Sequence, residues 1–141
     1  MIALALMRLA GFRSRWVQTS VGRIHVLEAE GGGDGAPLVL MHGLSSRATH
    51  YRALARHLRP HFRRLILFDN PGHGESEVPP VMDGESVRRG CIEVLDTIPE
   101  PFLLYGNSLG GYGAMRYAMR SPEHVLRLAV TSPDALCGGG R

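Results

Sequence analysis

Between an apolar run at residues 102–105 and a helix-like stretch ending near Arg120, the chain reads Gly106-Asn107-Ser108-Leu109-Gly110. This pentapeptide constrains the fold more than any other segment. A serine hydroxyl is a poor nucleophile unless a base takes its proton and the backbone presents its oxygen outward. A sharp strand-to-helix turn does the presenting. Such a turn leaves no room for side chains two residues before and after its apex, and glycines at those places remove the clash. Gly106 and Gly110 hold those positions, and Gly111, Gly113 and Ala114 let the following helix lie close to a sheet. The amides at the start of that helix favour a developing negative charge.

The rest of the chain supplies the context such a turn requires. Residues 15–20 and 23–29 read as an opening β-hairpin turning near Val21-Gly22. A glycine-rich loop, 31–35, leads to a short continuous apolar run at 37–41, the pattern of a strand buried on both faces. Tyr51, Leu54, Ala55 and Leu58 follow at i, i+3, i+4, i+7 spacing, which predicts one buried helix face ending at Pro60. Residues 65–68 give a second buried strand, and 70–83 a polar loop rich in proline and glycine. Val87, Cys91, Val94, Leu95 and Ile98 line one face of a second helix that stops before Pro99. The strand at 102–105, a helix from Ser108 to about Arg120 and a last strand at 125–130 complete the alternation. Strands alternating with helices predict an α/β fold: a mostly parallel sheet with helices on both faces.

Composition excludes several classes. The chain has 141 residues, 44% apolar and 21% charged, an ordinary globular balance. All 16 basic residues are arginine, yet they are scattered and the net charge is only +3. Without a basic stripe or stacking motif there is no case for nucleic-acid binding. A P-loop needs a lysine, and the chain has none. Cys91 and Cys137 form neither a disulfide framework nor a metal-ligand spacing. No cofactor or metal is implied. The N-terminal run Met1-Ile2-Ala3-Leu4-Ala5-Leu6-Met7 is too short to span a bilayer, and its charge follows it rather than precedes it. It reads as a short amphipathic helix, with the cytoplasm as the expected location.

Two further motifs join the pentapeptide. His42-Gly43-Leu44 ends the first buried strand, and Asp69-Asn70-Pro71-Gly72-His73-Gly74-Glu75-Ser76 ends the second. In this order the three motifs resemble the serine-nucleophile branch of the α/β-hydrolase superfamily, over residues 15–132. The resemblance implies an enzyme acting on carboxylic esters or related small acyl compounds. Ser108 would be the nucleophile, and the backbone N–H groups of Leu44 and Leu109 would form the oxyanion hole. His42 and Gly43 would shape the oxyanion loop, and His73 would border the site. The chain thus divides into a short N-terminal amphipathic segment at 1–14, a part at 15–132 that the resemblance makes the N-terminal part of a hydrolase domain, and an irregular tail at 133–141.

The family pattern also requires an acid and a histidine base after the serine. Only His124 follows Ser108, and it falls where the third helix returns to the start of the last strand, the wrong end of the sheet. Asp134, just past the last strand, is the acid candidate. The sequence thus reads as a truncated hydrolase, ending where a lid would begin. Its last strand would be an apolar edge prone to self-association. The alternative reading is a catalytically incomplete fragment, or a non-catalytic binding or partner half-domain.

Overall fold

The computed structural model describes residues 1–133; Asp134, Cys137 and the rest of the expected tail lie outside the described residues. A helix, α1 (Ile2–Leu9), precedes the hairpin β1 (Arg13–Thr19) and β2 (Gly22–Glu30). There follow β3 (Leu38–Met41), α2 (Arg52–Leu58), β4 (Arg64–Phe68), α3 (Gly84–Asp96), β5 (Phe102–Asn107), α4 (Leu109–Arg120) and β6 (Val125–Thr131). The six strands form one sheet in the order β1-β2-β4-β3-β5-β6. The hairpin and the β2/β4 pair are antiparallel, whereas β3/β4, β3/β5 and β5/β6 are parallel. This is the expected α/β architecture.

Strand alternation explains how a continuous apolar run serves two cores. On one face Val39, Met41, Ile66 and Phe68 pack with Val87, Val94 and Leu95 of α3 and with Ala114 and Tyr117 of α4. On the other, Leu38, Leu40, Leu65 and Leu67 pack with Met7 of α1 and Ala55 of α2. Helices thus cover both faces. Asp83 caps α3 by accepting the Ser86 amide at 2.8 Å, which satisfies one of the donors left over at a helix start.

The structure revises three local expectations. Leu54 does not join a buried face but is exposed. Tyr51 belongs to a 3-10 turn, Ala48–Tyr51, that precedes α2. That turn winds more tightly than an α-helix, so the helical phase starts afresh at Arg52. The last helix begins at Leu109, not Ser108, which is its N-cap. β5 is buried on one face only, with Leu103 and Tyr105 half-buried. β6 borders the sheet with Leu126 and Leu128 exposed; of its apolar residues Val125 packs against the core. Among the described residues no helix is long and apolar enough to cross a membrane.

Candidate active site

Strands β3, β4 and β5 run parallel, so their C-terminal ends bring three loops together. Ser108 lies at the apex of the loop after β5 with φ 50° and ψ −117°, a backbone state rare for a residue with a side chain. Its amide donates to the Thr131 carbonyl at 2.9 Å, and its carbonyl accepts the Tyr112 amide at 2.9 Å, the first bond of α4. The crowding inferred from the sequence is present. A Cβ on Gly106 would come within 2.3 Å of the Gly110 carbonyl oxygen. One on Gly110 would come within 2.4 Å of the Met41 carbonyl oxygen.

The loop after β3 lies directly against this apex. A Cβ on Gly43 would stand 2.9 Å from Asn107 Oδ1 and 3.1 Å from Ser108 Cβ. Leu44 is exposed, and the next residue, Ser45, has φ 59°. His42 holds this loop in place. Its Nε2 accepts the Asn70 amide at 2.9 Å, so the proton sits on Nδ1, which donates to the Gly43 carbonyl at 2.8 Å. Asn70 Nδ2 returns a bond to the His42 carbonyl at 2.9 Å. Burial, only partly offset by the Gly43 bond, lowers the His42 pKa to about 4. With both nitrogens engaged, the ring is a neutral brace. Leu109 is the first residue of α4, so its amide has no partner within the helix.

The loop after β4 wraps around Asp69. The Asp69 carboxylate accepts the Ala48 amide at 2.7 Å, the Glu75 amide at 3.1 Å and His25 Nδ1 at 3.0 Å. Burial pushes its pKa up, but these bonds outweigh burial and hold it below the usual range. Gly74, at φ 53°, passes so close that a Cβ would fall 2.2 Å from the carboxyl carbon. His73 Nδ1 lies 3.0 Å from the Pro71 carbonyl oxygen, and its ring centroid stands 5.4 Å from that of His42.

Ser108, Gly43, Leu44, Leu109, His42 and His73 thus lie at or border one end of the sheet. His124 does not: its Nδ1 lies 3.1 Å from the Tyr117 hydroxyl, and its ring packs on Phe102, at the start of β5. Phe102 and Ser108 are separated by the length of that strand, about 20 Å. Among the described residues no histidine is hydrogen-bonded to Ser108. Cys91 is buried, and burial pushes its thiol pKa up to about 12, which makes it inert. Among the described residues no group of three or more His, Cys, Asp or Glu is placed to hold a metal ion.

Sequence reasoning missed the Asp69 clamp and its partner His25. A signal was present: His25 interrupts the apolar run Ile24-Val26-Leu27, and a buried polar residue requires partners. It also missed Thr131, whose Oγ1 accepts from Asn107 Nδ2 at 2.9 Å and steadies the apex from β6.

The comparisons agree with the fold. The model of the alpha/beta hydrolase fold matches residues 36–137. Pimeloyl-[acyl-carrier protein] methyl ester esterase of Legionella pneumophila is 38% identical over 93 residues, which cover 66% of this chain and 36% of that protein. The 2-hydroxy-6-oxononadienedioate/2-hydroxy-6-oxononatrienedioate hydrolase of Comamonas testosteroni is 33% identical over 124 residues, 81% of this chain and 41% of that protein. Among solved structures, Cfl2 from Burkholderia cenocepacia superimposes with a TM-score of 0.76 at 32% identity, covering 87% of this chain and 42% of its own. The chain therefore spans about two fifths of the length of the curated relatives it matches.

Proposed function

The chain belongs to the alpha/beta hydrolase fold family, and from that premise we propose that it carries the nucleophile and oxyanion half of a serine hydrolase site. The substrates are carboxylic esters or related small acyl compounds. The relatives are esterases and hydrolases, which supports this class. Ser108 attacks the carbonyl carbon, and the amides of Leu44 and Leu109 hold the oxygen as it becomes negative. The observation that carries the reading is the strained Ser108 backbone pressed against Gly43. Strain at an apex is kept where presentation of the side chain matters. Removing one oxyanion donor costs about 10²–10³ in rate.

Among the described residues no histidine stands as a base for Ser108. Asp134 is our candidate for the acid. Without a base the nucleophile and oxyanion hole still give roughly 10³–10⁴ over the uncatalysed reaction, so activity is slow rather than zero. The test is labelling of the 141-residue chain with a fluorophosphonate, with the adduct located by peptide mass spectrometry. An adduct at Ser108 that is absent in Ser108→Ala supports the reading. A folded chain that yields no adduct at Ser108 sinks it.

A second reading has its own observation. Among the described residues β6 has no strand on its outer side, and its Leu126 and Leu128 are exposed; open edges invite pairing with another chain. On this reading the chain is a partner half-domain that is catalytically incomplete alone, and it self-associates through β6. Sedimentation of the wild type beside Leu128→Lys separates the two: a monomeric wild type removes the second reading.

A further inference from the structure

We propose that Ser14, His25 and Asp69 form a second serine centre, distinct from the elbow, that takes small acyl esters with a good leaving group. His25 Nε2 lies 2.9 Å from Ser14 Oγ, and His25 Nδ1 lies 3.0 Å from Asp69 Oδ2. The His25 and Asp69 side chains are each 2% exposed. With the Nδ1 proton given to the carboxylate, the Nε2 lone pair faces the serine hydroxyl. This is the order of groups that activates a serine: an acid fixes the tautomer, the imidazole takes the proton, the oxygen attacks.

Three features fit a site better than a buried tie. Ser14 is only half-buried and lines a cavity of about 490 Å³ together with Arg13, Arg15, Glu28, Glu30 and Arg59. A tie that only satisfied His25 would need no opening at its outer end. The Trp16 ring lies 5.2 Å from the His25 ring and restricts its rotation. Arg59, which lines the same cavity, supplies positive charge, its Nε donating to the Glu30 carbonyl at 2.6 Å; Arg13 and Arg15 alternate with Ser14 along β1 and stand on the other face of the sheet. Guanidinium groups favour the negative charge that develops on a carbonyl oxygen.

The chemistry balances without a further reagent. The Ser14 hydroxyl proton passes to His25 Nε2 as Oγ bonds to the carbonyl carbon, and the carbonyl π pair moves to oxygen. Collapse breaks the bond to the leaving group, which departs with the proton from Nε2. Water then repeats the sequence and releases the acid. With a fluorophosphonate the same attack forms an Oγ–P bond, breaks P–F and releases hydrogen fluoride.

The test uses Ser108→Ala in the full chain, so it does not depend on the reading at Ser108. Fluorophosphonate labelling followed by peptide mass spectrometry places the adduct on Ser14, and p-nitrophenyl acetate gives a matching burst of p-nitrophenolate. Both vanish in Ser108→Ala/Ser14→Ala. Labelling of Ser14 slows by about 10² in Ser108→Ala/His25→Gln, the contribution expected of a general base. Should that double variant fail to fold by circular dichroism, exposed Ser20 and Ser45 serve as references within Ser108→Ala, and Ser14 labels about 10² faster than either. A folded Ser108→Ala chain without a Ser14 adduct overturns the proposal. So does a Ser14 adduct that forms as fast in folded His25→Gln, or no faster than at Ser20 and Ser45.

Discussion

Ser108 and Ser14 sit in opposite surroundings. Ser108 has the backbone geometry of a presented nucleophile: φ 50°, glycines on both sides and a helix start behind it. Among the described residues it lacks a histidine. Ser14 lies in ordinary extended backbone on the border strand β1. It has no strained turn, yet a histidine and an ionised aspartate stand in line behind it. The contrast shows that presenting an oxygen and taking its proton are separate tasks, solved by different parts of a fold. The first needs a local turn, which adjacent residues can specify. The second needs groups brought from distant strands. Asp69 joins the two regions, since one carboxylate holds Ala48, in the segment after β3 that packs on the elbow, and His25, behind Ser14.

Both regions depend on this one carboxylate. Asp69→Ala leaves His25 and the Ala48 and Glu75 amides without their acceptor. Loss of one partner from a buried charged network costs about 3–5 kcal/mol, to be read from urea unfolding, and labelling falls at both serines. If only one serine is affected, the two regions are not coupled through Asp69.

Acid should separate the clamp from the brace. His42 titrates at about 4 when folded and near 6.5 when unfolded. Above pH 6.5 it is neutral in both states and contributes no pH dependence. As pH falls from 6.5 to 4 the unfolded chain gains a proton that the folded one refuses, so stability drops by about 3 kcal/mol. Asp69 acts lower: its folded pKa is depressed, so its contribution is full above the ordinary carboxylate value and fades as pH falls through the folded one. Urea midpoints between pH 7 and 4 check this. Replacing His42 by Gln, which keeps a side-chain donor and acceptor but cannot titrate, flattens that part of the profile.

Gly43→Ala should act on the elbow alone. The added methyl would meet Asn107 and Ser108 at 2.9–3.1 Å, which costs about 1–3 kcal/mol as overpacking. Labelling of Ser108 falls, and labelling of Ser14 does not change. The smallest effect belongs to Ser14→Ala, which removes one half-buried hydrogen bond worth about 1 kcal/mol. Ser108 should label as before. A change at Ser108 in that variant means the hairpin supports the elbow more directly than through Asp69.

Much of this molecule was legible in the chain itself. The elbow followed from Gly106, Ser108 and Gly110, because a crowded turn permits few residues and they are neighbours in sequence. The strands at 37–41 and 65–68 followed from unbroken apolar runs, since burial on both faces leaves no polar alternation. The buried face of α3 followed from its spacing. α2 was less legible: a 3-10 turn shifted its phase, and nothing in the spacing of Tyr51 and Leu54 reveals which kind of turn precedes them.

By itself, then, the sequence determined what depends on adjacent residues: the turn at Ser108, the alternation of strand and helix, and the family they imply. Tertiary structure alone decided what depends on pairing across the sheet. Ser14 meets His25 because β1 pairs antiparallel with β2 in a register that sets Ser14 opposite Leu27. His25 meets Asp69 because β2 pairs with β4 and places Val26 opposite Phe68. A shift of one residue in either pairing would turn these side chains to the opposite face. Register is fixed by the packing of two whole cores, which no short motif encodes.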